Sequence, residues 1–276
     1  MTLGFAMTVV LPHAPILIGA MGRELARGAA PLVTAIEQLA RTIAHVNPET
    51  IVLVTPHAPL AFDAFSIHVG DVLRGSLAHQ GFPTLVLRFE NDPALVDEII
   101  GQALDHRMKV FEIPDGTPLD HGALVPLHFL HAAGWRGRVV VLGSSYLPEA
   151  DHIRYGQYLS RAAHALGRRA VLIASANLSH RLSEAAPYGY HPRAADFDRE
   201  IVSALEHGDF VRLSHIMPEL RDLAVECGHR PILIAVGAVE ETPSRHRVLA
   251  YAHPFGVGHV VAILADRSQE ASALTS

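Results

Sequence analysis

Residues 6–15 read AMTVVLPHAP and residues 50–59 read TIVLVTPHAP. Each is a continuous, β-branched apolar run closed by the same Pro-His-Ala-Pro. A strand that is solvated on one face alternates apolar and polar residues, whereas an uninterrupted apolar run needs cover on both faces. Proline cannot continue a central strand, and the residue before it stays extended. The tetrapeptide therefore reads as a stiff exit from a doubly covered strand. Prolines alone do not explain why a histidine sits between them both times.

Working outward, further apolar runs of strand length occur at 84–88, 138–143, 170–175, 247–252 and 259–264. Between them, helical periodicity covers 30–46, 93–106, 122–133, 153–167, 194–206 and 230–239. Strands that alternate with helices indicate an α/β fold: a single domain over residues 1–266, with a central mixed or mostly parallel sheet covered by helices on both faces. The Gly/Pro clusters at 113–118 and 187–192 are too short to be linkers. Residues 267–276 are expected to form a frayed, flexible tail.

The composition narrows the class. Of 276 residues, 49% are apolar and 18% charged, which marks a globular chain and excludes a disordered one. A net charge of −6 argues against nucleic acid or an acidic membrane as the main partner. No run is long enough to span a membrane, and the N-terminus lacks the basic start of a secretory signal, so a cytoplasmic protein is expected. The lone cysteine, Cys227, rules out an internal disulfide framework and a multi-cysteine zinc module. The unusual count is 19 histidines, against 22 lysines and arginines together.

In sheets of this kind ligands bind beyond the carboxyl ends of the strands, so the residues that follow each strand matter most. His13 follows the first and His57 the second. "AVLIASANLSH" ends in His180, "PLDHGALVPL" places Asp120 and His121 before a helix, and "AVECGHRP" places Glu226, Cys227, His229 and Arg230 before another. One histidine after a strand is most often a turn residue. Five polar exits in succession point to a shared cleft.

Two imidazoles and one carboxylate, with the remaining positions open, form the facial triad of non-haem Fe(II) oxygenases. His13, His57 and Glu226 can supply it. Zn(II) is the competing metal for the same set, in a hydrolase arrangement. His180 and His121 remain to move protons or orient substrate, a role suited to imidazole. No HExxH helix, GxSxG elbow or P-loop is present, and the glycines of "HPFGVGHVVAIL" run into a strand rather than a helix.

The motifs LPHAPIL, VTPHAP, LDHGALVPL, IASANLSHRL, YGYHPRAADFD, ECGHRP and HPFGVGHVVA, in this order, resemble the class III extradiol ring-cleavage dioxygenases of LigB type. The likeness spans roughly residues 6–265 and is nearest to the branch of Memo proteins and bacterial domains associated with AMMECR-type partners. The resemblance implies metal ligation by His13, His57 and Glu226, acid/base work by His180, and substrate-oxygen contact by His121. It also implies a catechol- or aminophenol-like aromatic substrate with O2, and a homodimer or an AMMECR-type partner protein.

Memo proteins carry a cysteine followed by glycine at the third metal position, and Cys227-Gly228 fits that pattern beside Glu226. Adjacent side chains on an extended segment point to opposite faces, so one of the two reaches the metal. The expectation from sequence favours Glu226 and Fe(II), with Cys227 as the alternative ligand. Thiolate ligation would fit a Memo-like metal-binding, redox or signalling protein without ring cleavage. Tyr188, Tyr190 and Arg230 are further candidates for binding substrate, Arg230 through a substrate carboxylate. Asp120 reads as a helix N-cap. His128, His131, His152, His207 and His215 fall in or beside helical stretches and read as non-catalytic.

Overall fold

The computed structural model describes residues 4–19, 28–239 and 245–268. Its strands are β1 (Met7–Leu11), β2 (Thr50–Thr55), β3 (Phe65–His68), β4 (Val72–Ser76), β5 (Val86–Glu90), β6 (Val110–Ile113), β7 (Arg138–Gly143), β8 (Ala170–Ser175), β9 (Arg247–Ala252) and β10 (His259–Asp266). Its helices are α1 (Ile16–Gly19), α2 (Ala30–Val46), α3 (Pro93–Asp105), α4 (His121–Ala132), α5 (Glu149–Ala165), α6 (Ala194–His207), α7 (Phe210–Leu213), α8 (Pro218–Ala224) and α9 (His229–Val239).

Eight strands form one mixed sheet in the order β6-β3-β7-β2-β8-β1-β10-β9. Its centre, β7-β2-β8-β1, is parallel, and β3 and β10 join that block antiparallel at either side. The uninterrupted apolar runs are the buried centre: every residue of β1, β2 and β8 is buried.

Successive side chains feed opposite layers. Val52, Val54, Leu172 and Ala174 pack with Leu95, Ile99, Leu159 and Ile232 from α3, α5 and α9. Ile51, Leu53, Val171 and Ile173 pack with Leu32, Ile36, Leu39 and Leu127 from α2 and α4. The result is a three-layer α/β domain, as the sequence implies. Helices α5 and α9 lie unusually close: a Cβ on Gly156 would come within 1.9 Å of the Ile234 carbonyl oxygen, and one on Gly237 within 1.9 Å of that of Ile153.

Departures from the sequence reading are local. The run at 84–88 belongs to β5, which pairs only with β4 in a two-stranded hairpin set against the α2/α4 layer. Strand β6 at one edge and its neighbour β3 have four residues each, too few for a periodic signal. Helix α5 starts at Glu149, ahead of the apolar stripe, because Pro148 precedes it and Glu149 and Asp151 suit the positive end of its dipole. Of the expected tail, residues 269–276 lie outside the described residues.

Candidate metal centre

The parallel block directs the exits of β1, β2 and β8 to one edge of the sheet. Because β10 runs the other way, it brings its first residue, His259, to that same edge. There His13 Nε2 lies 3.1 Å from His57 Nε2 and 3.4 Å from Cys227 Sγ. Donor atoms of His13, His57 and Cys227 all fall within 4.8 Å of one another. Ligands held at about 2.0–2.3 Å from one ion leave separations of this order.

The tautomer of His13 follows from its neighbours. Ser175 Oγ donates its one proton to the Gly122 carbonyl at 2.5 Å, so it can only accept from His13 Nδ1, 2.9 Å away. His13 Nδ1 therefore carries the hydrogen and Nε2 offers a lone pair to the cleft, the second-shell arrangement of ligating histidines. The backbone N–H of His13 donates to Asn177 Oδ1 at 3.1 Å, and His259 Nδ1–H donates to the same oxygen at 3.1 Å. The Nε2 atoms of His13 and His57 face each other, so that one ion could take a lone pair from each.

Burial keeps these rings neutral. It lowers the pKa of His13 well below the ordinary value, with repulsion from His57, His121, His259 and His180 adding to it. His57 is open to solvent along one edge but walled by its neighbours; desolvation first, then His121 and His180, push it to about 4. His259 falls to about 3 through burial and then His180. Burial and then the Glu226 charge raise the Cys227 thiol to about 12, against a weak hydrogen bond to the Asn177 carbonyl. Neutral imidazoles are ready ligands; the thiol needs a cation beside it to ionise.

Glu226 departs from the sequence expectation. Its Oε2 accepts from the His229 N–H at 2.7 Å, which caps α9, and its Oε1 takes Arg221 Nε at 3.4 Å. Arg221 also pairs with Glu149. The carboxylate thus serves the helix start and a half-buried ion pair, while the next side chain, Cys227, turns to the histidines. Gly228 permits this approach, since a Cβ there would stand 2.6 Å from the Asn177 carbonyl oxygen.

The remaining expected residues divide. His121 opens α4 and stacks on His57, with ring centroids 4.3 Å apart. Asp120 accepts from the Ala123 N–H at 3.1 Å and from Thr55 Oγ1 at 2.7 Å, so it is the N-cap and also braces the exit of β2. Gly122 must be glycine, because a Cβ would meet Thr55 Oγ1 at 2.3 Å and His57 Cδ2 at 3.1 Å. His180 is pinned by its N–H to the Ala224 carbonyl at 2.9 Å, and burial lowers its pKa. Tyr188 meets the His180 ring edge-on at 6.1 Å, and Tyr190 is exposed in the same turn. His229 is wholly buried and donates to the Leu213 carbonyl at 2.7 Å, a packing role away from the cluster.

Sequence reading overlooked four participants. His259 lies in a quoted motif, but its strand was judged by its end, whereas an antiparallel strand contributes its start. Ser175, the last residue of β8, and Asn177, two residues on, sit in "ASANLSH" ahead of His180 and hold no charge to attract attention. Asp198 is buried on α6, accepts from the Ser179 N–H and from Tyr251 Oη at 2.8 Å each, and so ties the His180 segment to α6 and β9.

Fold and cluster together define an α/β domain with a histidine-rich cleft at the strand exits, where His13, His57 and Cys227 could hold a metal ion. The chain belongs to the LigB family: the model of the catalytic LigB subunit of aromatic ring-opening dioxygenases matches residues 7–262. Among its relatives is Protein CA_C1420 of Clostridium acetobutylicum, 30% identical over 273 residues. That alignment covers 96% of this chain and 58% of the relative, so the chain spans little more than half of that protein's length. The crystal structure of JW3007 from Escherichia coli K12 superposes over 94% of this chain and 100% of its own, with a TM-score of 0.63 at 18% identity, and so shares the fold. Among the described residues, no helix is long and apolar enough to cross a membrane.

Proposed function

We propose that this domain is a metal-dependent dioxygenase that opens an aromatic ring bearing adjacent hydroxyl, or hydroxyl and amino, groups, with O2 as co-substrate. The observation that carries the reading is the convergence of His13, His57 and Cys227, with His121 and His180 beside them, in a LigB-family fold. The donor set fits a divalent ion of borderline or soft character: two imidazoles kept neutral by burial, one with its tautomer set by Ser175, and a thiol. Fe(II) is the expected metal and Zn(II) its competitor for the same donors. When bound, such an ion supplies a shared anchor for substrate oxygens and dioxygen.

The chain's own residues do the rest. His180 and His121, both kept neutral by desolvation, accept a proton from the incoming hydroxyl at a ring nitrogen. His121, stacked on His57, keeps that ring fixed as substrate enters. Tyr188, edge-on to His180, borders the space for an aromatic ring.

Anaerobic loading with Fe(II), followed by aerobic assay with catechols and aminophenols, tests this by the absorbance of ring-opened products. Product formation that is lost in His180→Ala, with metal still bound, supports it. Metal bound at His13, His57 and Cys227 with no product from any diol or aminophenol overturns it. That outcome would favour a second reading, a thiolate-ligated redox or signalling centre of Memo type, for which the inward turn of Cys227 is the specific support.

A further inference from the structure

The Arg230 guanidinium rests over the Tyr146 ring, 5.0 Å from its centroid, and the residue after that tyrosine, Leu147, lines a cavity of about 250 Å³ between the end of α3 and one face of α5. Arg107, Lys109 and Arg154 bring positive charge to this cavity, and Asp63 and Asp151 bring negative charge. Lys109 pairs with Asp63 at 2.6 Å and Arg154 with Asp151, so these four cancel. Arg107 is left over: among the described residues its guanidinium has neither an ion pair nor a hydrogen bond. Two rings of the lining, His106 and Tyr158, stack with centroids 4.4 Å apart. Arg161 lies over Tyr158 at 5.7 Å and donates to His106 Nε2 at 3.4 Å, again with no carboxylate partner among the described residues. A chain with a net charge of −6 thus carries a locally cationic cavity.

The backbone beneath Arg107 points the same way. Arg107 follows the last turn of α3 in the left-handed conformation, with φ at 59°. Its N–H donates to the Leu104 carbonyl at 2.9 Å, and the Met108 N–H donates to the Ala103 carbonyl at 2.8 Å. These are the paired bonds of a Schellman ending, whose left-handed position is ordinarily glycine. Helices α2 and α6 end in the same conformation at Asn47 and Gly208, the residue types that tolerate it. A basic side chain can earn such a place by bonding the last carbonyls of the helix. Here His106 Nδ1–H already serves the Gln102 carbonyl at 2.8 Å, and Arg107 makes no such bond. An arginine kept where the backbone favours glycine, lining a cavity and bound to no protein group, marks a position held for a ligand.

We propose that this cavity binds a compact oxyanion of phosphate type, carried by a small molecule, with Arg107 as its main contact. A guanidinium offers a fork of donors that matches the oxygens of a phosphate, and a cavity of this size suits a small molecule and not a segment of folded chain. Titration calorimetry with inorganic phosphate tests it, with acetate at the same ionic strength as the control. Phosphate is expected to saturate and to bind roughly tenfold or more tighter than acetate, the range of one charge-assisted fork. Arg107→Gly should weaken phosphate by about the same factor and yet raise the melting temperature, because glycine relieves the left-handed position. Arg107→Gln removes the charge and keeps the strain, so it should weaken phosphate equally with no rise in melting temperature. It serves alone if Arg107→Gly does not fold. Phosphate held no tighter than acetate by the parent protein, or equally well by both variants, overturns the proposal. Phosphate taken up at the histidine cluster gives the second of these results, since neither variant alters that site. A lower melting temperature in Arg107→Gly makes Arg107 a group that serves the helix end, and overturns the proposal as well.

Discussion

His259 offers a direct test of the idea that the cluster is assembled from neutral imidazoles. The ring is 1% exposed, hydrogen-bonded through Nδ1 to Asn177, and held at a pKa of about 3 by burial and by His180. In the unfolded chain the same imidazole titrates near its ordinary value of about 6.5. Because the folded value is the lower one, the stability it confers is complete above about pH 6.5 and is lost as pH falls toward 3. At about pH 4.5 the unfolded chain binds the proton and the folded chain does not. Two units at about 1.4 kcal/mol each give a loss of ~3 kcal/mol from this residue. Replacing it with glutamine keeps an N–H donor for Asn177 Oδ1 and removes the titration. Urea unfolding of chelator-treated parent and His259→Gln proteins, at about pH 7 and about pH 4.5, yields the double difference. His13, His57 and the other histidines contribute to both proteins and cancel to first order. The variant should lose ~3 kcal/mol less than the parent on acidification. Equal losses in the two proteins would refute the assignment of His259 as a buried neutral group.

Three more expectations follow from the same geometry. Burial holds Asp198 at about 7, so the stability tied to its protonated form is complete below about pH 4 and lost as pH rises through 7; Asp198→Asn should therefore stabilise the protein by ~2–3 kcal/mol more at about pH 8 than at about pH 5, read by urea titration. Gly237→Ala should cost at least ~2 kcal/mol, because the new methyl would press on the Ile153 carbonyl and α5 cannot yield without disturbing the sheet; thermal melting reads it. Metal uptake at about pH 7 should release close to one proton per site from the Cys227 thiol, measured in weak buffer. Ligation by Glu226 in its place would release almost none, and Cys227→Ala should abolish the release.

The layers of the fold were readable because β1, β2, β7 and β8 are unbroken apolar runs and the main helices other than α4, which is buried nearly all round, carry a periodic stripe. The β6 side of the sheet was not, since β6 and β3 have too few residues to show a period, and β3 takes its place through Phe65 and Ile67, buried in the core. At the site, the two PHAP histidines were legible because proline exits place them on the strand axis. The side chain that joins them was not. Opposite directions for Glu226 and Cys227 are required by an extended chain, but which of them turns inward is decided by tertiary contacts: the His229 N–H and Arg221 hold the carboxylate, and Gly228 lets the thiol segment lie against Asn177. His259 was missed because pairing direction, which sequence does not display, determines which end of β10 faces the cleft.

The position of β1 also bears on how the protein is made. Within this domain, residues Met7–Leu11 are made before both of their neighbours in the sheet, Val171–Ser175 and Ala262–Asp266. For most of synthesis this apolar strand has no partner on either side, a period in which a nascent chain depends on being shielded. His13 is likewise separated from His259 and Asn177 until nearly the whole domain has been translated. The cluster and its supports, His13 and His57 with Cys227, Asn177 and His259, are therefore complete only once nearly the whole domain has been made.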